Sequence, residues 1–167
     1  VLTSSTGVEA WDGSLFGNSI SNNENNGANW RFSNNEVNGF SYYSDPYREN
    51  YIRYLRPMLE DGVVEYDFWY DENSEVHPAI GGQALLLKKE GLFLHRITLL
   101  NQDKSDLLSD NAVPLDPPSQ PIDLKSDDWN RVRLELKGDN LSVVVNDIVI
   151  GSVLVKDPAR LRHIGML

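Results

Sequence analysis

The strongest folding signal in the chain lies in residues 129–155, where apolar and polar side chains alternate between two turn signals. A period of two residues is typical of a strand that buries one face and exposes the other. The alternating aliphatic residues of the first strand are Val132, Leu134 and Leu136. Residues 138–140 (Gly-Asp-Asn) and 146–147 (Asn-Asp) are turn formers. The segment therefore predicts three antiparallel strands in a meander, with a candidate bulge at Gly151.

Shorter segments with the same period precede and follow this meander. Within Gly62–Tyr70, apolar residues alternate with Glu65 and Asp67, and residues 84–87 and 92–99 flank a Lys-Lys-Glu-Gly hairpin connection. The remaining predicted strands are residues 30–32, 40–43, 51–55 and 162–167. A strand with one apolar face buries that face against another sheet. We therefore predict an all-β fold, a two-sheet antiparallel jelly-roll sandwich formed by residues 1–167 as a single domain.

Two regions lack a clear period. Residues 1–40 are rich in asparagine, which favours turns through side-chain to backbone hydrogen bonds, and residues 19–28 are predicted to form a loop. Residues 101–128 contain four prolines, and a structureless segment of that length is uncommon in a compact domain. We expect it to contain a short strand near residues 122–124 or to form a functional loop. One helical turn is predicted, near residues 158–161.

Composition and charge exclude several functional classes. The chain has 25 acidic and 15 basic residues, and its formal net charge of −10 opposes binding to nucleic acid or to an anionic membrane. No apolar run approaches the roughly eighteen residues that cross a bilayer, so membrane insertion is not predicted. The chain has no cysteine, and it begins at Val1 without a signal peptide. We expect it to be part of a larger protein, with the cell envelope or the exterior favoured and the compartment left open.

One set of motifs near the carboxyl end resembles a known fold family. Residues 128–134 (DWNRVRL), the Gly-Asp turn at 138–139 and residues 143–147 (VVVND) look like a laminin G-type signature. Residues 163–167 (HIGML) are similar to the last strand of such domains. The resemblance implies a concanavalin A-like lectin-type sandwich. It also implies that Trp129 opens a strand with its ring buried in the core.

A narrower resemblance covers residues 51–167. The motifs that carry it are Arg56-Pro57, Asp61-Gly62, 65–68 (EYDF), 76–79 (VHPA), 85–87 (LLL), Glu90-Gly91 and His95. Together they resemble an uncharacterised family of bacterial domains, chiefly from large planctomycete proteins. This resemblance implies no established activity.

Residues 65–67 (Glu-Tyr-Asp) are similar to the catalytic strand of laminarinase-like glycosidases. Retaining hydrolysis needs two carboxyl groups about 5 Å apart on one face, but Trp69 and Tyr70 occupy the positions where the second glutamate would lie. The simpler interpretation places Glu65 and Asp67 on the solvent side of a strand. Motifs for a Ser or Cys nucleophile and for a phosphate-binding glycine loop are missing. We predict no catalytic residue, metal ligand or cofactor.

Aromatic and histidine side chains are the candidates for ligand binding. Aromatic rings concentrated in the first half of the sequence, among asparagine, aspartate and arginine, fit either a sugar platform or core packing. They are Trp30, Tyr42, Tyr43, Tyr47, Tyr51, Tyr54, Trp69 and Tyr70. We predict that His77, His95, Arg56 and Tyr70 line a common polar pocket, against the alternative of four unconnected positions. Loop aspartates at 103, 106, 110 and 116 fit solvated acids better than a calcium site.

These patterns favour a non-catalytic binding module of a larger protein, with carbohydrate as the leading ligand class and protein as the other. A glycosidase-like enzyme of the same fold is the first alternative. A structural spacer or protein-docking domain with no small ligand is the second.

Overall fold

A computed structural model describes residues 8–13, 20–21, 30–33, 36–39, 50–58, 61–71, 76–97, 112–155 and 162–167. Strands account for 64% of these residues and none of them lies in an α-helix, which confirms the all-β prediction. Among the described residues, one 3-10 turn, Val8–Ala10, precedes the strands. In chain order the strands are β1 (Trp11–Asp12), β2 (Ile20–Ser21), β3 (Trp30–Ser33), β4 (Glu36–Gly39), β5 (Ile52–Tyr54), β6 (Gly62–Tyr70), β7 (Pro78–Ile80), β8 (Gln83–Lys88), β9 (Gly91–Arg96), β10 (Ala112–Pro114), β11 (Asp128–Lys137), β12 (Asn140–Val145), β13 (Ile148–Leu154) and β14 (Ile164–Met166).

The described strands form two large sheets and one small one. The seven-stranded sheet has the order β1-β5-β14-β7-β8-β9-β10 and the four-stranded sheet the order β13-β12-β11-β6, and the pairings in both are antiparallel. Leu85 and Ile164 of the larger sheet share one buried core with Val132 and Val143 of the other. This shared core is consistent with the predicted β-sandwich. The small sheet, β2-β3-β4, is a third sheet that the prediction lacked, and in it β2 is parallel to β3.

The predicted meander is confirmed in detail. Strands β11, β12 and β13 follow one another in the four-stranded sheet, and both residues of the Asn146-Asp147 turn have positive φ angles of 48° and 67°. Such backbone angles match the right-handed twist of the paired strands, and Asn and Asp tolerate them. In the last strand Val143 lies opposite Gly151 but Val144 lies opposite Val149, so the bulge falls beside the predicted glycine.

Several short segments differ from the prediction. Residues 122–124 form no strand, although the Ile122 and Leu124 side chains are buried in the core. The strand of that region is β10, whose Ala112 lies opposite His95 of β9. Residues 20–21 form a strand and not a loop. The predictions for residues 40–43 and 158–161, and for the aspartates at 103, 106 and 110, lie outside the described residues.

The prediction that the Trp129 ring is buried is wrong. Trp129 lies in β11, as expected, but 46% of its surface is exposed. The residue that enters the core is Asn130, which is fully buried. The alternation explains this result, because Val132 and Leu134 point inwards and residues of the opposite parity must then point outwards.

Candidate functional site

The outer face of the four-stranded sheet carries a pair of exposed tryptophans. Trp69 of β6 lies directly opposite Trp129 of β11, and 44% and 46% of their surfaces are exposed. The ring centroids are 5.8 Å apart and the ring planes meet at 81°, an edge-to-face arrangement. The other two tryptophans, Trp11 and Trp30, are buried. The chain therefore exposes two indoles side by side at one end of this sheet.

The next row on the same face is an ion pair. Asp67 lies opposite Arg131, whose Nε and Nη2 atoms are 2.9 Å and 3.4 Å from the two carboxylate oxygens. The hydrogen bond to Asp67 is the main cause that raises the pKa of Arg131. One row further, Arg133 Nε is 3.7 Å from a Glu65 oxygen. Glu65 and Asp67 thus lie on the solvent side of the strand, as the simpler interpretation of the sequence predicted.

A groove of about 550 Å³ begins at Trp129 and runs between the β12–β13 turn and residues 120–125. Its volume lies within the range of about 300–1,000 Å³ that is usual for small-ligand sites. The polar or charged side chains that line it are Asp67, Gln120, Asp123, Lys125, Arg131, Asn146 and Asp147. Apolar lining comes from Trp129, Ile148 and neighbouring aliphatic residues. The groove therefore combines hydrogen-bonding groups with apolar surface.

The buried amide of Asn130 holds the two walls of the groove together. Its Oδ1 atom accepts hydrogen bonds from the Lys125 amide at 2.9 Å and from Asn146 Nδ2 at 2.9 Å. Its Nδ2 atom donates to the carbonyls of Lys125 at 3.0 Å and Asp128 at 3.2 Å. All four hydrogen-bonding positions of the side chain are therefore engaged.

Asn146 completes this network from the other wall. Its Oδ1 atom accepts from the Arg131 amide at 3.0 Å, and its Nδ2 atom also donates to the Asp123 carbonyl at 3.0 Å. Residues 123–125 are thus bound both to β11 and to the β12–β13 turn. A fully satisfied network of this kind rigidifies the backbone around it, so the groove is formed without a ligand.

His77 and His95 both lie in or beside the seven-stranded sheet. Ala79 lies opposite Ala84, and Ala84 lies opposite His95. Because His77 is two residues from Ala79, strand alternation places both histidines on the same side of that sheet. His77 is 5% exposed, and its Nδ1 atom accepts a hydrogen bond from the Leu87 amide at 3.2 Å. This geometry gives His77 a structural task in joining β8 to the segment before β7.

Tyr70 and Arg56 lie elsewhere. Tyr70 packs against the main core between the sheets, with Lys89 Nζ 5.8 Å from its ring centre. His95 shares its side of β9 with Phe93, which packs against a different cluster. The seven-stranded sheet therefore separates Tyr70 from His95. Arg56 is exposed in a bend after β5. Tyr70 and His95 thus face different sides of the seven-stranded sheet, and a ligand-binding role for each of the four residues stays a prediction.

Two further observations bear on the kind of site. Within the residues that the structure describes, no three His, Cys, Asp or Glu side chains are grouped so that they could hold a metal ion. No helix in the described part of the chain is long and apolar enough to cross a bilayer.

Sequence reasoning missed Trp129, Arg131, Asn130 and Asn146 as groove-forming residues. A signal for the first two was present, since Trp129 and Arg131 have the parity of the solvent-facing residues in β11. The role of Asn130 had a weaker signal. A polar residue at an inward position of a strand requires hydrogen-bond partners, but the sequence does not say which ones.

The fold and the groove together define the class of this protein. It is an all-β domain with two large antiparallel sheets around one core. It exposes a tryptophan pair beside a polar groove. The chain belongs to the family described as "Domain of unknown function (DUF1583_N)", which matches residues 43–167. Membership in a family without an assigned activity agrees with the narrower resemblance of the sequence. A search of curated proteins found no match.

Proposed function

We propose that this domain is a non-catalytic carbohydrate-binding module of a larger protein. Its ligand lies on the outer face of the four-stranded sheet, against Trp69 and Trp129, and reaches into the groove beside them. The observation that carries the proposal is the exposed tryptophan pair next to a preformed polar groove.

The exposure of the two indoles is the first support. A cross-strand aromatic pair stabilises a sheet by about 0.2–1 kcal/mol, and an exposed indole gains little from burial. Folding alone therefore gives little reason for two adjacent indoles to face solvent while Trp11 and Trp30 are buried. Sugars offer a face of C–H groups that packs on aromatic rings, and contact with such a face would cover this apolar surface.

The polar lining of the groove is the second support. Sugar hydroxyls both donate and accept hydrogen bonds, and the groove offers carboxylates, amides and cations close to Trp129. A small number of polar groups on an apolar floor is the usual composition of a small-ligand site. Because the Asn130 network holds both walls in place, little ordering is needed when a ligand binds.

Binding fits the geometry better than hydrolysis does. A glycosidase needs a carboxylic acid and a second carboxylate free to act on the sugar. In this chain Arg131 engages both oxygens of Asp67, and Glu65 lies beside Arg133. The two carboxylates serve as partners of arginines along the sheet.

The finer fold assignment is part of the same proposal. We infer a jelly-roll sandwich of the laminin G or concanavalin A-like lectin type. Two antiparallel sheets around one core and the order of strands β11 to β13 support it, together with the laminin G-like motifs in the sequence.

The test is a glycan array on the purified domain, followed by titration of each hit with tryptophan variants. We expect Trp69→Ala and Trp129→Ala each to lose most of the binding while circular dichroism stays unchanged. Leu154→Ala is the matched control, since Leu154 is a 60% exposed apolar residue of β13, at the other end of the same sheet. Binding to no glycan, or equal loss in all three variants, would refute the proposal.

A fourth variant separates this site from the pocket predicted from the sequence. His95→Ala changes a residue on the far side of the seven-stranded sheet. Loss of glycan binding in that variant, with binding intact in both tryptophan variants, would move the site to the histidine face.

A further inference from the structure

We infer that the ligand is a neutral, soluble oligosaccharide that places one sugar ring in the corner between Trp69 and Trp129 and its next units in the groove. This inference rests on the proposed function and narrows it to a ligand class. It excludes crystalline polysaccharide surfaces and acidic glycans as the preferred ligands.

The angle between the two indoles sets the shape of the ligand. A flat polysaccharide surface is matched by rings that lie in one plane, because each ring must present its face to the same surface. Here the ring planes meet at 81°, with centroids 5.8 Å apart. When one indole lies flat against a sugar, the other can present only its edge to the same plane. The pair therefore forms a corner for one sugar ring of a mobile chain.

The position of the groove sets the path of the remaining units. Trp129 belongs both to the tryptophan pair and to the groove lining, so the two features are continuous. From Trp129 the groove passes Arg131 and reaches the Asn146-Asp147 turn. A volume of about 550 Å³ accommodates a short oligosaccharide. Affinity should consequently rise with the first added sugar units and then level off.

The charges along the groove set the class of sugar. Three carboxylates line it, from Asp67, Asp123 and Asp147, against the two cations Lys125 and Arg131. Arg131 is already paired with Asp67 through two hydrogen bonds. The chain as a whole has a formal net charge of −10. The negative field of the groove would repel a uronate or a sulfated glycan, whereas it would not repel a neutral sugar.

Calorimetric titration with defined probes tests the inference. The probes are neutral gluco-oligosaccharides from monosaccharide to hexasaccharide in several linkages, matched oligogalacturonates, and microcrystalline cellulose in a pull-down. We expect binding of at least one neutral series, with affinity that rises and then levels off. Oligogalacturonates should bind at least about tenfold more weakly, and their binding should depend on salt.

A charge reversal in the groove sharpens the result. Asp123→Lys should raise the ratio of oligogalacturonate affinity to neutral oligosaccharide affinity by about tenfold or more. Glu90→Lys makes the same charge change at an exposed turn outside the groove lining, and should leave that ratio within about twofold.

The outcomes separate this inference from the proposal beneath it. Tryptophan-dependent binding to cellulose or to acidic glycans in preference to neutral oligosaccharides would overturn the inference and keep the proposed function. Absence of tryptophan-dependent binding to every probe, and to every glycan of the array, would overturn both.

Discussion

The outer faces of the two large sheets differ sharply although their inner faces share one core. On the four-stranded sheet the outer face carries charges and the exposed Trp69–Trp129 pair. On the seven-stranded sheet the middle of the corresponding face is buried, and Ala79 and Ala84 there have no exposed surface at all. Their strands also differ in pattern, since β11 alternates and β8 is a continuous apolar run. A strand pattern thus tells which face of a sheet is open to a ligand.

The largest expected effect comes from the network that holds the open face in shape. Asn130→Ala removes the partners of several groups, including the Lys125 amide and Asn146 Nδ2. Each buried group left unsatisfied costs about 1–3 kcal/mol, so the free energy of unfolding should fall by about 3 kcal/mol or more. Urea unfolding of the variant and the wild type measures this change in the free energy of unfolding. Asn140→Ala, at an exposed position of the same sheet, should change stability by less than about 0.5 kcal/mol. Equal effects would mean that the network does not hold the groove.

The stability of the domain should depend on alkaline pH through Tyr51, which lies in the buried cluster on the outer face of the seven-stranded sheet. Burial is the main cause that raises the pKa of Tyr51 to about 12, while Arg53 lowers it and Asp12 raises it. In the unfolded chain the Tyr51 phenol ionises near pH 10, so below that pH the free energy of unfolding has its full value. Between about pH 10 and 12 unfolding releases a proton, and stability should fall by about 2–3 kcal/mol. Urea unfolding across this range should give a shallower loss for Tyr51→Phe than for the wild type, and identical curves would contradict the assignment.

A larger side chain at Gly165, on the same face as Tyr51, should destabilise the domain. A Cβ atom built at Gly165 would overlap the ring and hydroxyl of Tyr51. Gly165→Ala should therefore cost about 1–3 kcal/mol, measured by thermal or urea unfolding. Ser152→Val adds volume on the open face of the other sheet and should stay within about 0.5 kcal/mol. If the Tyr51 ring is the obstacle, the double variant with Tyr51→Ala should cost less than the sum of the two single variants.

The smallest expected change in stability is at the proposed site itself. Trp129→Ala removes a solvent-facing member of a cross-strand pair and should cost about 0.2–1 kcal/mol. Trp30→Ala removes a buried ring and should cost about 3–5 kcal/mol. Differential scanning calorimetry of the two variants measures the contrast. A loss at Trp129 as large as that at Trp30 would show that the exposed pair serves the fold.

The parts of the fold that were predicted well are those determined by residues close to one another in the sequence. Strands β11 to β13 follow from alternation and from turn residues that act locally. Strands β2 and β10 were missed because each has only two or three residues and is defined by its partner strand. A partner that lies far away in the sequence leaves no local signal.

The candidate site was predictable only in part. The parity of β11 places Trp129 on the open side, but the resemblance to laminin G domains favoured burial, and parity was the better guide. The histidines fitted a ligand site by residue type alone. The hydrogen bond that His77 accepts from a backbone amide of β8 depends on the register of the sheet, and the ligand-binding role of both histidines stays a prediction. Register between strands is set by the whole fold, so residue type could not predict it.

The place of β14 in the seven-stranded sheet has a consequence for folding. This strand, formed by Ile164–Met166, pairs with β5 on one side and with β7 on the other. Ribosomes deliver it after the thirteen other described strands, so β5 and β7 emerge long before the strand that joins them. Contacts between residues so far apart in sequence form slowly compared with those of a local hairpin. Until β14 is inserted, two strand edges stay open to pairing with other chains, and its insertion ends that period of aggregation risk.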